Sequence, residues 1–162
     1  MVKRWSRTFA GGSALAGAAD FVANFSVLHR VAGKNGWNLF TAAKNRLASL
    51  STTSPAVLRH LGSTGSQSVR QRVAENPSSD SQTLDGLSTD SDSDVRSAVA
   101  GNPSTSNAIA EVLSTDENAD VRYAMAENNK TSESLLKQLS ADDNPYVKDR
   151  AERTQARNGI ES

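Results

Sequence analysis

The chain has 162 residues, eighteen basic and eighteen acidic side chains, and no cysteine, a length that suits one domain or one repeat array. Without cysteine, disulfide bonds, thiolate-held iron–sulfur clusters and cysteine-ligated zinc sites are excluded. His29 and His60 have no partner at metal-site spacing, so we expect neither a metal nor another cofactor.

The net charge of zero conceals an uneven distribution. Residues 1–72 contain ten Lys and Arg and one acid, a net charge of +9, whereas residues 73–162 carry a net charge of −9. The split indicates a basic end suited to nucleic acid, an anionic surface or an acidic partner. Two simpler interpretations stay open: the basic end is only solvated, or opposite ends attract one another in a homo-oligomer.

Residues 1–42 are basic, contain aromatic residues and lie outside the repeat described below. Lys3, Arg4 and Arg7 precede a small-residue run at 11–19, which resembles a weak secretory signal but lacks a leucine core. We therefore expect a cytoplasmic protein rather than an exported one. Charged residues also interrupt every window long enough to span a bilayer.

Two helices are expected in this N-terminal segment. The first covers about 13–31, a turn follows at Gly33, Asn35 and Gly36, and the second helix begins near Trp37. We predict that the segment is a helical cap on the exposed end of the repeats. Its aromatic residues could instead stack on bases or lie in a membrane interface. The apolar stripe of the second helix is Trp37, Phe40, Leu47 and Leu50.

The rest of the chain repeats with a period of 26 residues. VRSAVAGN is matched by VRQRVAEN upstream, by VRYAMAEN downstream and by two weaker copies, AKNRLASL and VKDRAERT. A fixed period without insertions is typical of a repeat array. We predict this array over 43–154, with a frayed tail over 155–162. The units begin near Ala43, Val69, Val95 and Val121, with a partial cap from Val147.

Each unit is predicted to form two short helices. In the first, apolar residues four apart face the core, and a recurrent asparagine ends the helix by bonding backbone groups of the turn, unit on unit. The second helix is short enough to be partly 3₁₀. Predicted N-caps of the first helix are Ser66, Asp92, Asn118 and Asn144, and those of the second are Thr53, Ser79, Thr105 and Thr131.

A basic residue recurs at the second position of each copy: Arg70, Arg96, Arg122 and Lys148. The main interpretation is a ladder of ion pairs with acids such as Asp94 and Asp120. The alternative is a row of phosphate or carboxylate binders.

The pattern VRxAVAxNPxT, followed by two leucines and DxDxxVR, resembles the bacterial variant leucine-rich repeat family and, more loosely, HEAT-like helical repeats. The resemblance covers about 43–153. It implies an all-α fold, an α-solenoid in which alternating α and 3₁₀ helices build a right-handed superhelix. The cysteine-ligated cluster of the founding type cannot be carried over to this chain. The family has no common catalytic activity, so the resemblance informs fold more than function.

Because no catalytic motif is found, we predict a non-catalytic scaffold or adaptor that binds another protein. The Asp90–Asp94 run lacks the glycine and distal glutamate of a calcium loop. Positions that vary between units, outside the core stripe, would form one continuous binding surface, with Tyr123 as its aromatic anchor. This predicted surface consists of Gln71, Glu75, Ser97, Tyr123, Glu127, Asp149 and Arg153.

The alternative function is binding of nucleic acid, or of another anionic surface, through the basic N-terminal third. Lys and Arg side chains would then contact phosphates, and binding would weaken steeply with salt. The candidate phosphate-binding residues are Lys3, Arg4, Arg7, Lys44, Arg46, Arg59, Arg70 and Arg72.

Overall fold

The computed structural model describes the backbone of residues 34–159 and the side chains of residues 41–159. Over this range the protein is all-α, with nine helices and no strand. The helices are α1 (Lys34–Ser49), α2 (Pro55–Thr64), α3 (Gln67–Glu75), α4 (Ser81–Ser88), α5 (Ser93–Gly101), α6 (Asn107–Leu113), α7 (Ala119–Glu127), α8 (Glu133–Leu139) and α9 (Pro145–Arg157). The chain divides into two compact units, Met1–Phe40 and Thr41–Ser162. None of the described helices is both long and apolar enough to cross a bilayer.

The N-terminal predictions are only partly tested. The helix predicted at 13–31 lies outside the described residues. The second helix exists as α1, but the turn predicted at Asn35 and Gly36 is wrong, because α1 begins at Lys34 and includes both. Since α1 ends at Ser49, Leu50 follows the helix and is 42% exposed.

We call the first helices of the units, α3, α5, α7 and α9, the first row. The core lies between them and the second helices, α2, α4, α6 and α8. In the units that begin at Val69, Val95 and Val121, the apolar pairs predicted four residues apart on the first helix are fully or almost fully buried, as are the small alanines that follow them. Leucines and one isoleucine of the second helices complete the same cluster. In the first row these buried residues are Val69, Val73, Ala74, Val95, Val99, Ala100, Val121, Met125 and Ala126.

The second helix of each unit differs from its prediction in two ways. It is α-helical rather than partly 3₁₀, and it begins one residue later. Its N-caps are Ser54, Asp80, Ser106 and Ser132. The predicted caps are used otherwise, because each donates its hydroxyl to a carbonyl six residues earlier, as Thr105 Oγ1 does to Val99 O at 2.5 Å. The same bond is made by Thr53, Ser79 and Thr131.

This hydroxyl fixes the turn that joins the two helices of a unit, and we expect Thr105→Val to lower the free energy of unfolding by about 1 kcal/mol. Valine keeps the shape of threonine but cannot donate to the Val99 carbonyl. Thr115→Val is the matched control, because its hydroxyl bond to Val112 O is exposed. Urea denaturation of the two variants should separate them, and equal values would contradict the role of the partly buried bond.

The first helices are capped as predicted in three units of four. Asp92, Asn118 and Asn144 accept from backbone N–H groups of the first turn. Ser66 occupies the N-cap position of α3, but its side chain makes no capping bond. These caps fix where each first helix begins.

The C-terminal end departs from the predicted frayed tail at 155–162. Helix α9 continues to Arg157, and Thr154 and Gln155 are buried, with exposed fractions of 1% and 7%. The reason lies in the repeat itself, because Thr154 stands where the earlier copies have the helix-ending asparagine. Instead the helix closes at Gly159, whose φ of 71° suits a left-handed C-terminal cap.

Candidate partner-binding surface

The C-terminal ends of the first helices are joined by an asparagine ladder. Asn102 Nδ2 donates to the carbonyl oxygens of Ala74 at 2.6 Å and Asn76 at 3.0 Å, and its Oδ1 accepts from Ser104 N at 2.8 Å. All three polar groups of this buried side chain are therefore used. Asn76 and Asn128 repeat the arrangement on the carbonyls of Ala48, Leu50, Ala100 and Asn102. The predicted role of the asparagines, bonding backbone from unit to unit, is confirmed.

The N-terminal ends are joined by an arginine–aspartate ladder. Arg96 binds Asp116 through two parallel bonds, Nε to Oδ2 at 2.7 Å and Nη2 to Oδ1 at 3.0 Å, and its Nη1 donates to Asp90 O at 2.8 Å. Such bidentate pairs fix orientation as well as charge. Arg70 with Asp90 and Arg122 with Asp142 form the same pair.

The ladder was predicted, but with the wrong acids. Asp94 and Asp120 lie exposed in the first turn of their helices. The true partners come twenty residues after each arginine, in the turn that precedes the next first helix. Asp116 Oδ1 also accepts from Asn118 N at 2.9 Å. The same carboxylate therefore closes the turn and binds Arg96. Asp90, Asp116 and Asp142 recur with the 26-residue period, and that signal could have identified them.

The paired carboxylates are shifted toward the ionised form. The hydrogen bond from Arg70 lowers the pKa of Asp90, and the bond from Arg122 lowers that of Asp142. Burial alone would raise the pKa of Asp116, but bonds from Arg96 and from the Asn118 N–H together outweigh it and lower the value. The three acids are therefore better stabilised as anions in the folded protein than in the unfolded chain.

This shift predicts acid sensitivity. A carboxyl whose pKa is lowered by folding contributes stability above its unfolded pKa, about 4, and loses that contribution as the pH falls through the folded value. We expect the free energy of unfolding to decline progressively below about pH 5. Asp116→Asn should decline less steeply over this range, because one such group has been removed. Parallel slopes in urea titrations from pH 6 to pH 3 would contradict this assignment.

The predicted binding residues lie on α3, α5, α7 and α9, the helices that the two ladders join. Gln71 Nε2 donates to Glu75 Oε1 at 3.2 Å, and Arg153 pairs with Asp149 at 2.9 Å. Tyr123 is 37% exposed. Ser97 lies on α5 and is half-buried.

Two residues near this surface were not predicted. Arg150 Nη2 contacts Glu127 Oε1 at 2.6 Å and so connects α7 to α9. Tyr146 is 76% exposed, so Tyr123 is one of two exposed aromatic side chains among the described residues. The sequence period does not indicate Tyr146, because this residue lies one position before the repeated motif, where earlier units have Asp94 and Asp120.

The predicted phosphate-binding residues lie only partly within the described part of the chain. Lys3, Arg4 and Arg7 lie outside them. Arg59 and Arg70 line a hollow of about 320 Å³, yet each is paired, with Asp80 and Asp90 respectively.

Of the remaining candidates, Arg72 lies 3.6 Å from Glu75, Arg46 is exposed and Lys44 is half-buried. Within the described part of the chain, no three His, Asp or Glu side chains are grouped as a metal site would require. Comparison with known protein families, curated proteins and solved structures found no match to the chain.

Proposed function

We propose that this protein is a non-catalytic, cytoplasmic scaffold or adaptor that binds a partner protein along α3, α5, α7 and α9. We further propose that residues 43–154 form a right-handed α-solenoid related to the variant leucine-rich repeats, with residues 1–42 as its cap. In such an array each repeat contacts its neighbours, and the first row of helices offers one extended surface.

The observation that supports the proposal most directly is that neighbouring first-row helices are joined by hydrogen bonds at both of their ends. Gln67, the first residue of α3, donates to Asp94 in the first turn of α5, and Asn102, after the end of α5, donates to Asn76 after the end of α3. Helices α3 and α5 therefore lie side by side and parallel. A rigid row of helices is what an extended partner needs, because little conformational freedom is lost on binding.

The proposal can be tested by affinity capture from the native host lysate with the full-length chain, at low and high salt. Ser97→Arg places a large charged side chain in the middle of the surface, on α5. Ala108→Arg is the matched control, because it also replaces a small residue and adds the same charge to the exposed side of α6. We expect Ser97→Arg to reduce capture of the same identified protein at least tenfold and Ala108→Arg to leave it unchanged.

Two outcomes would contradict the proposal. Equal effects of the two variants would place the binding site elsewhere. Capture that disappears with nuclease or with high salt, and that depends on Lys3, Arg4 and Arg7, would favour the nucleic-acid function instead, because phosphate contacts are strongly salt-dependent.

A further inference from the structure

The two exposed tyrosines of the chain lie on neighbouring first-row helices, Tyr123 on α7 and Tyr146 on α9. The exposed fractions are 37% and 76%. A single exposed apolar side chain needs no explanation, but two that adjoin form a patch with a specific partner preference. Whether they adjoin depends on how α7 and α9 lie against each other.

Contacts at both ends show that α7 and α9 are parallel. Near their N-termini, Arg122 of α7 binds Asp142, which also accepts from Asn144, the N-cap of α9. Near their C-termini, Arg157 of α9 donates to the carbonyl of Glu127, the last residue of α7, at 3.2 Å. The two helices therefore run in the same direction over their shared length.

One cross-helix contact then shows that residues 23 apart meet across α7 and α9. Arg150 and Glu127, separated by 23 residues, are joined at 2.6 Å. One turn earlier on both helices, at the same separation, stand Tyr146 and Tyr123. Because residues four apart share a helix face, Tyr123 and Tyr146 occupy neighbouring positions on the exposed side of α7 and α9.

Two aspartates complete the patch. Asp120 lies one turn before Tyr123 on α7, and Asp149 lies one turn after Tyr146 on α9. The 26-residue period also sets Asp120 beside Tyr146 and Tyr123 beside Asp149 on the neighbouring helix. Acid and ring therefore alternate around a four-residue group, which we call the tyrosine–aspartate patch: Asp120, Tyr123, Tyr146 and Asp149.

The charges around the patch favour a cationic ligand. Asp120 is exposed and has no ion-pair partner among the described residues, whereas the charge of Asp149, which stays more than half exposed, is offset by Arg153 at 2.9 Å. The charge of Arg150 is offset by Glu127. Lys148, two residues after Tyr146, points to another side of α9. Two exposed aromatic side chains beside an unpaired carboxylate attract ammonium and guanidinium groups through charge and cation–π contact.

We propose that the tyrosine–aspartate patch binds Lys or Arg side chains of a basic segment in the partner protein. The inference rests on the proposed scaffold function and specifies the chemistry of the partner. Neighbouring first-row helices lie about 10 Å apart, a distance that basic residues spaced two or three apart in an extended segment can span.

The test measures binding of a fluorescent octapeptide, four Arg-Ser repeats, to the full-length chain by fluorescence anisotropy. Tyr123→Ala and Tyr146→Ala should each raise the dissociation constant about three- to fivefold, and the double variant about tenfold or more. Tyr146→Phe should bind normally, because the ring is kept. Val112→Ala removes an exposed apolar side chain elsewhere, on α6, and should have no effect. Any binding of a peptide of four Glu-Ser repeats, through the basic end of the chain, should be unchanged by the tyrosine variants.

Peptide binding that the tyrosine variants leave unchanged would overturn the inference, since attraction would then be a general effect of charge. The triple variant Lys3→Gln, Arg4→Gln, Arg7→Gln tests whether the chain's own N-terminal segment occupies the patch. Peptide binding that improves about tenfold in this variant would show that it does, and would overturn the inference that the patch binds another protein. So would self-association that the tyrosine double variant abolishes. If Ser97→Arg still prevents capture of a protein in any of these cases, the scaffold function stands and only this inference fails.

Discussion

Replacing Asn102 by alanine is expected to lower the free energy of unfolding by about 3 kcal/mol. Asn102 is 2% exposed and lies in the middle of the ladder. Its loss removes two donors from the carbonyls of Ala74 and Asn76 and the acceptor from Ser104 N. Buried polar groups left without partners cost more than the hydrogen bonds themselves contribute.

Asn102→Asp separates hydrogen bonding from packing. The aspartate has nearly the same shape and can still accept from Ser104 N, but when ionised it donates nothing and places a charge beside two carbonyl oxygens. We expect it to be at least as destabilising as alanine near neutral pH. Asn129→Ala is the control, since this asparagine is exposed and should cost less than about 0.5 kcal/mol. An aspartate variant as stable as the parent protein would show that the ladder bonds are unimportant.

The period of the sequence predicted the core well, because buried positions in a repeat are constrained in the same way in every unit. Val95 and Val99 face inward for the same reason as Val69 and Val73, and all four are fully buried. The asparagine ladder could be predicted as well, since a polar residue repeated at a helix end must satisfy backbone groups. Local and repeated constraints are therefore visible in the sequence.

Contacts between units were harder to predict, because the period states which residues are equivalent and not which ones meet. The sequence pairs the recurrent arginines with acids such as Asp94 and Asp120, whereas Arg96 binds Asp116, which lies twenty residues later and is positioned by the geometry of the turn. Tyr146 was missed for a related reason. Its position is an aspartate in two earlier units, so the period does not indicate an aromatic residue there.

The arginine–aspartate ladder carries the second large expected effect. Arg96→Met should lower the free energy of unfolding by about 3 kcal/mol, and Asp116→Asn by about 2 kcal/mol. The side chains are only 11% and 9% exposed, so removing one partner leaves the other with poor hydration. Methionine keeps the length of the arginine stem, which limits the loss of packing.

The double variant distinguishes pairing from two independent losses. If the two residues act as a pair, the combined effect will fall short of the sum of the single effects by about 1.5–3 kcal/mol. Lys137 and Glu133 provide the reference cycle, because this pair on α8 is also close, at 2.6 Å, but more than half exposed. Its coupling should be below about 0.5 kcal/mol. Equal coupling in the two cycles would mean that burial adds nothing to the ladder, and that its arginines and aspartates hold neighbouring units together no better than a surface ion pair does.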